Sequence, residues 1–146
     1  MPSILLDTNV LVYAFDLHNS QKQTRAWILI RKLDIIGAGC LSVQCLAEFF
    51  RATTVKFHLR PEEMCIQVER WQRAFPVYDL TPQIVLEAAR GTYEYGLSYY
   101  NAQIWASAHI NSIPNVFSED FQDGQLLEGV RFVNPFTEVF KLDDWS

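Results

Sequence analysis

The chain has 146 residues, 49% apolar and 20% charged, a composition that excludes a disordered chain and is enough for one domain with one buried core. No apolar run approaches the roughly 18 residues of a membrane span, and the opening MPSILLDTN has neither the basic leader nor the cleavage site of a signal peptide. A net charge of −5 argues against a nucleic-acid coat protein, although residues 1–73 hold nine Lys/Arg against seven Asp/Glu and residues 74–146 hold three against ten.

In chain order, SILLD is a short apolar run ending in a carboxylate, the pattern of a buried strand, and TNVLVYAF continues at once as a helix. Ser20, with Gln23 three residues on, reads as a capping box for a helix reaching about Ile36. GAGCLS is a second strand, its glycines permitting a turn or a close approach. Ser42 is the expected N-cap of a helix running to about His58. Pro61 suits a first helical turn, with Glu62 and Glu63 at its positive end, for a helix to about Phe75. PVYDL is a third strand, and Thr81-Pro82 opens a helix expected to fray near Gly91 or Gly96. Ser98 should cap the next helix, NVFSED is a fourth strand, DGQLLEGV a loop or turn, RFVNP a fifth short strand, and the tail a weak helix. Strands alternating with helices imply an α/β fold with a mostly parallel sheet of about five short strands covered on both faces. Chemistry in such sheets gathers beyond the carboxyl ends of the strands.

Four polar residues stand out. Asp7 closes the first strand, where a carboxylate also serves as an N-cap. Glu48 shares a helical stripe with Leu41, Cys45 and Ala52, and a charge facing a core is costly unless it is paired or coordinates something. Asn101 lies on the stripe of Leu97, Ile104, Trp105 and Ala108. Asp120 ends the fourth strand, with Glu119 and Asp123 close by in EDFQDG, a composition that also suits a turn. Two carboxylates at strand ends and two polar residues on inward helix faces can meet at one sheet edge. Hard oxygen ligands gathered in this way suit Mg²⁺ or Mn²⁺, which activates water and neutralises charge developing on phosphorus.

The segments ILLDTNVLVYAFD, LSVQCLAEFF, LSYYNAQIWASA and VFSEDFQDG…VRFVNPF, in this order, resemble the motifs of PIN-domain ribonucleases, in particular the VapC-type toxins of bacterial toxin–antitoxin pairs. The resemblance covers nearly the whole chain, read as one domain over 1–146. It implies a parallel-sheet α/β/α sandwich and metal-dependent endoribonuclease activity, with an RNA substrate, a cognate antitoxin and a homodimer as partners. By it, Asp7, Glu48 and Asp120 are metal carboxylates, Asp123 assists Asp120, and Thr8 and Asn9 support Asp7. Asn101 stands where the family usually carries an aspartate. An amide can ligate through its carbonyl oxygen but brings no charge, so the site should hold metal less tightly or work slowly.

The remaining expectations concern surfaces and rivals. Arg51 and Lys56 are the expected RNA contacts within a basic rim that also includes Lys22, Arg25, Arg31, Lys32, Arg60, Arg70 and Arg73. Trp27, Trp71, Trp105, Tyr99 and Tyr100 are candidates for an antitoxin groove, or for core. Cys40, Cys45 and Cys65 match no zinc or redox spacing and read as small core residues of a protein in a reducing cytoplasm. ILLDTN is also similar to the strand-end aspartate of haloacid-dehalogenase-like phosphatases, but Asn9 stands where their second carboxylate belongs. His18, His58 and His109 are scattered, which gives nucleophilic catalysis little support. The main alternative is a degenerate PIN domain that binds RNA or an antitoxin without cutting.

Overall fold

A computed structural model describes residues 2–145. Its elements run β1 (Ile4–Leu6), α1 (Thr8–Tyr13), α2 (Ser20–Ile36), β2 (Gly39–Ser42), α3 (Val43–Arg51), a π-helical extension (Ala52–Lys56) and α4 (Pro61–Ala74). They continue with β3 (Val77–Tyr78), α5 (Pro82–Tyr95), α6 (Tyr99–Ile110), β4 (Asn115–Phe117), β5 (Leu126–Leu127), β6 (Val130–Val133) and a final 3-10 turn (Leu142–Trp145). The sheet order is β3-β2-β1-β4-β6-β5, parallel throughout except for the β5–β6 pair. From β1 the chain steps outward through β2 to β3 and then crosses back to β4 on the other side. Crossovers in opposite directions from β1 put helices on both faces. They also make the β1–β4 crevice the switch point of the sheet.

Local chemistry accounts for most boundaries. Ser42 caps α3 by accepting from Cys45 N at 3.3 Å, and Thr81 caps α5 by accepting from Ile84 N at 3.2 Å. Pro61 begins α4 with Glu62 and Glu63 in its first turn. Gly39 lies so close to Phe75 that a Cβ there would come within 2.9 Å of Cε1. Three expectations need correction. The cap of α2 is Asn19, whose Oδ1 accepts from Lys22 N, because Ser20 is already helical. Ser98 holds the N-cap position of α6 without a side-chain capping bond. DGQLLEGV contains a sixth strand, since Glu128 and Gly129 both adopt positive φ (48° and 85°) and make a tight hairpin turn.

The core contains β1, β2 and the middle of β4. Phe15, Phe49 and Trp71 pack edge to face beside it, with centroids 4.6–6.0 Å apart. Helix α6 is buried continuously from Ala102 to Ala108, so it carries polar side chains such as Gln103 and Ser107 into the interior. Cys40 and Cys45 are core residues, but Cys65 is exposed on α4. No helix among the described residues is long and apolar enough to cross a membrane.

Candidate active site at the carboxyl edge of the sheet

Asp7 follows the last residue of β1, and its backbone N donates to Phe117 O at 3.0 Å, which locks it across the β1–β4 crevice. Its carboxylate is 4% exposed. Oδ1 accepts from Thr8 N at 2.7 Å, so Asp7 is indeed the N-cap of α1. Oδ2 accepts from Ser118 Oγ at 2.6 Å and more weakly from Asn9 Nδ2 at 3.4 Å. Thr8 thus meets Asp7 through its backbone N, and Asn9 does so through its side chain. The Thr8 hydroxyl oxygen is buried, with no hydrogen-bond partner among the described residues.

Ser118, the first residue after β4, is the hub of this corner. Its Oγ also accepts from Asn9 Nδ2 at 3.1 Å and from Asp120 N at 3.0 Å, fixing the bend that carries Asp120. Asn9 Oδ1 in turn accepts from Glu119 N at 3.4 Å. Asp120 lies in that bend, three residues past the end of β4, and is exposed. Ser118 was not singled out in the sequence, where its only signal is its place between two apolar strand residues and an acidic pair.

Glu48 reaches the same edge from α3, half-buried. Its Oε1 accepts from Gln44 Nε2 at 2.6 Å, and it forms no ion pair with Arg51. The same Gln44 nitrogen donates to Tyr100 O at 3.1 Å, and Gln44 Oε1 accepts from Gln103 Nε2 at 2.8 Å. Gln44 and Gln103 were also not singled out, although Gln44 sits one turn before Glu48 and Gln103 interrupts an apolar run. Asn101 is the third residue of α6, half-buried, and its side chain makes no hydrogen bond among the described residues.

Electrostatics connect these groups. The Asp7 pKa is pushed up to about 6, chiefly by burial and further by the charges of Asp120 and Glu48, against the opposing hydrogen bonds from Ser118 and Thr8 N. Cys45, beneath Asp7, has its thiol pushed up to about 12 by burial and by the Asp7 charge. Among the described residues no cation pairs with Asp7, Glu48 or Asp120, and no three His, Cys, Asp or Glu side chains stand ready-made in ligating contact. The donor set of three carboxylates, with the charges of Glu48 and Asp120 both acting on the buried Asp7, and an unengaged amide on the neighbouring helix fits a hard divalent cation.

The other acidic residues of the corner have different employment. Glu119 accepts from the Tyr13 hydroxyl and pairs with Lys22 Nζ at 2.9 Å, which also withdraws Lys22 from the expected basic rim. Asp123 Oδ1 accepts from Asn134 N at 2.9 Å and braces the turn after β6. Arg51, exposed, lines an apolar groove of about 550 Å³ with Val43, Leu80, Tyr100 and Glu48. Lys56 lines a different hollow, with Phe15, Leu17 and Phe57. Of the candidate aromatics, Tyr100 is 66% exposed and belongs to the groove, whereas Trp71 and Trp105 are core.

The PIN domain family matches residues 4–122. The chain belongs to this family. Among solved structures it is similar to a toxin–antitoxin complex from Klebsiella pneumoniae (18% identity, TM-score 0.64), with 92% of this chain and 98% of that one covered. It is also similar to DNA-bound VapBC from Salmonella typhimurium (19%, TM-score 0.66, 90% and 97% covered). A third is the sarcin–ricin loop cleaving toxin VapC20 from Mycobacterium tuberculosis (16%, TM-score 0.63, 88% and 99% covered). At these identities the likeness shows a shared PIN fold. No curated protein matches the sequence significantly.

Proposed function

We propose that this PIN domain is a metal-dependent endoribonuclease, the toxin of a toxin–antitoxin pair, with Asp7, Glu48 and Asp120 holding Mg²⁺ or Mn²⁺. The observation that carries the reading is Asp7 at the sheet's switch point, its pKa raised chiefly by burial and further by the charges of Asp120 and Glu48, with no protein cation among the described residues to offset them. A divalent ion there supplies positive charge for phosphoryl oxygens and acidifies water. The chain's own residues do the rest. Ser118 and Asn9 hold the Asp7 carboxylate in one orientation, and Ser118 anchors the Asp120 bend. Asn101 offers an uncharged carbonyl oxygen as a ligand and an NH₂ that can orient water or a phosphate oxygen. Arg51, beside Glu48 and without an ion pair among the described residues, binds the RNA backbone. A cognate antitoxin covers the apolar groove at Tyr100 and Leu80, a second copy of the chain completes a homodimer, and the cytoplasm is where these partners meet.

The test is cleavage of a mixed single-stranded RNA with Mg²⁺, Mn²⁺ or EDTA, for this chain and for Asn101→Asp. Cutting by both, silenced by EDTA, is the expected result. Cutting by Asn101→Asp alone favours the second reading, a PIN domain that binds without cutting, which rests on the uncharged amide. EDTA-resistant cutting that survives Asp7→Ala overturns the metal site.

A further inference from the structure

We propose that Gln44 is a positioning residue that ties Glu48 to the backbone beside Asn101 and so fixes the separation of the two ligand-bearing helices. The inference rests on the carboxylate-site reading and adds to it a residue pair outside the acidic set. Gln44 and Glu48 are one helical turn apart on α3, so their side chains point the same way. The two hydrogens of the Gln44 amide are both used, one on Glu48 Oε1 at 2.6 Å and one on Tyr100 O at 3.1 Å. Tyr100 immediately precedes Asn101, so one side chain bridges from a ligand on α3 to the peptide that carries the ligand on α6. The amide oxygen accepts from Gln103 Nε2 at 2.8 Å, and Gln103 is 4% exposed. This third bond fixes the orientation of the amide, since a flipped Gln44 would turn its oxygen on the Glu48 carboxylate and its nitrogen on the Gln103 donor.

The bridge matters more here than in a site with four carboxylates. A charged residue at position 101 would be drawn towards a cation by its own charge, whereas a neutral amide has to be delivered by the backbone. Glu48 is half-buried, and with the Gln44 bond removed its long side chain regains rotamers that point Oε1 away from the corner. Partners of metal-ligating side chains typically account for about 10- to 100-fold in metal affinity.

The experiment is a double-mutant cycle read by Mn²⁺ binding in calorimetry, using the metal alone. Gln44→Met, of similar volume with no donor, should weaken Mn²⁺ binding about tenfold. Asn101→Asp should strengthen binding in the unchanged chain, and by a clearly larger factor in the Gln44→Met background, because a carboxylate is drawn to the cation without the bridge that the neutral amide needs. Gln103→Leu should weaken binding by itself and add nothing on top of Gln44→Met. Should Gln44→Met fail to fold, Gln103→Leu carries the test against the same Asn101→Asp comparison. Equal gains from Asn101→Asp in both backgrounds, or losses that simply multiply, overturn the bridge while leaving the metal site standing. No Mn²⁺ binding by either the unchanged chain or Asn101→Asp overturns the metal site, and the bridge with it.

Discussion

Replacing Asp7 by Asn separates what this carboxylate does for function from what it costs the fold. Its pKa lies at about 6 instead of the ordinary 3.8, chiefly because burial disfavours the charged form. Well below pH 3.8 Asp7 is protonated in both the folded and the unfolded chain, and ionisation makes no difference to stability. As pH rises, the unfolded chain releases the proton first, so stability is lost until pH passes the folded value. At about 1.4 kcal/mol per pH unit, the loss by pH 7.5 is about 3 kcal/mol. An asparagine escapes that loss. It incurs a pH-independent cost of about 2 kcal/mol, because its NH₂ meets the Ser118 hydroxyl and Asn9 Nδ2 donors where Oδ2 now accepts. Urea denaturation in EDTA should therefore find Asp7→Asn more stable than the unchanged chain by about 1 kcal/mol at pH 7.5. That advantage should shrink or reverse at pH 4. The difference between the two pH values isolates ionisation, since the hydrogen-bond cost cancels. A stability difference that stays constant between pH 4 and pH 7.5 would refute the buried, raised carboxylate. Saturating Mn²⁺ should raise the stability of the unchanged chain and leave Asp7→Asn nearly unmoved.

Ser118→Ala removes the 2.6 Å bond to Asp7 and the acceptor for Asp120 N. It should lower Mn²⁺ affinity about tenfold and cost about 1–2 kcal/mol of stability, read by calorimetry and urea denaturation. Arg51→Ala should weaken RNA binding and flatten its salt dependence by about one phosphate contact, while Lys56→Ala, on a separate hollow, should leave both unchanged. Equal effects in a filter-binding titration over salt would refute that division. Gly91→Ala places a Cβ 3.0 Å from Trp105 Cε3, and Trp105 is held by stacking on His109 and by its bond to Leu127 O. Overpacking should outweigh the helix-propensity gain of about 1 kcal/mol and lower the thermal midpoint by several degrees.

How much of the site could be read in the chain depended on the range of the interaction. Asp7 and Glu48 announce themselves locally, as a carboxylate closing an apolar run and a charge on an apolar helical stripe. Asn101 does so as an amide where the family motif has an aspartate. Helix starts at Ser42, Pro61 and Thr81 were equally plain, because a cap is an interaction over two or three residues. The β5–β6 hairpin was missed because Glu-Gly is an unusual pair for a turn with two positive φ values. Glu128 is held in it from outside, by Arg90 and by Tyr95 at 2.5 Å.

The sequence by itself determined the order of strands and helices apart from β5, and the mostly parallel class of the sheet, because these follow from periodicity, caps and motif order. Only the tertiary structure decided what each polar group is free to do. It assigned Glu119 to Lys22 and Tyr13, braced a turn with Asp123, and left Asp7, Glu48 and Asp120 without a partner cation among the described residues. It also made Ser118 and Gln44 the residues that hold the carboxylates, through contacts spanning 111 residues from Ser118 to Asp7 and 59 from Gln44 to Gln103. Hydrogen bonds between residues so far apart leave no periodic trace in a chain, and they exist only once the sheet has brought β1 beside β4 and α3 beside α6.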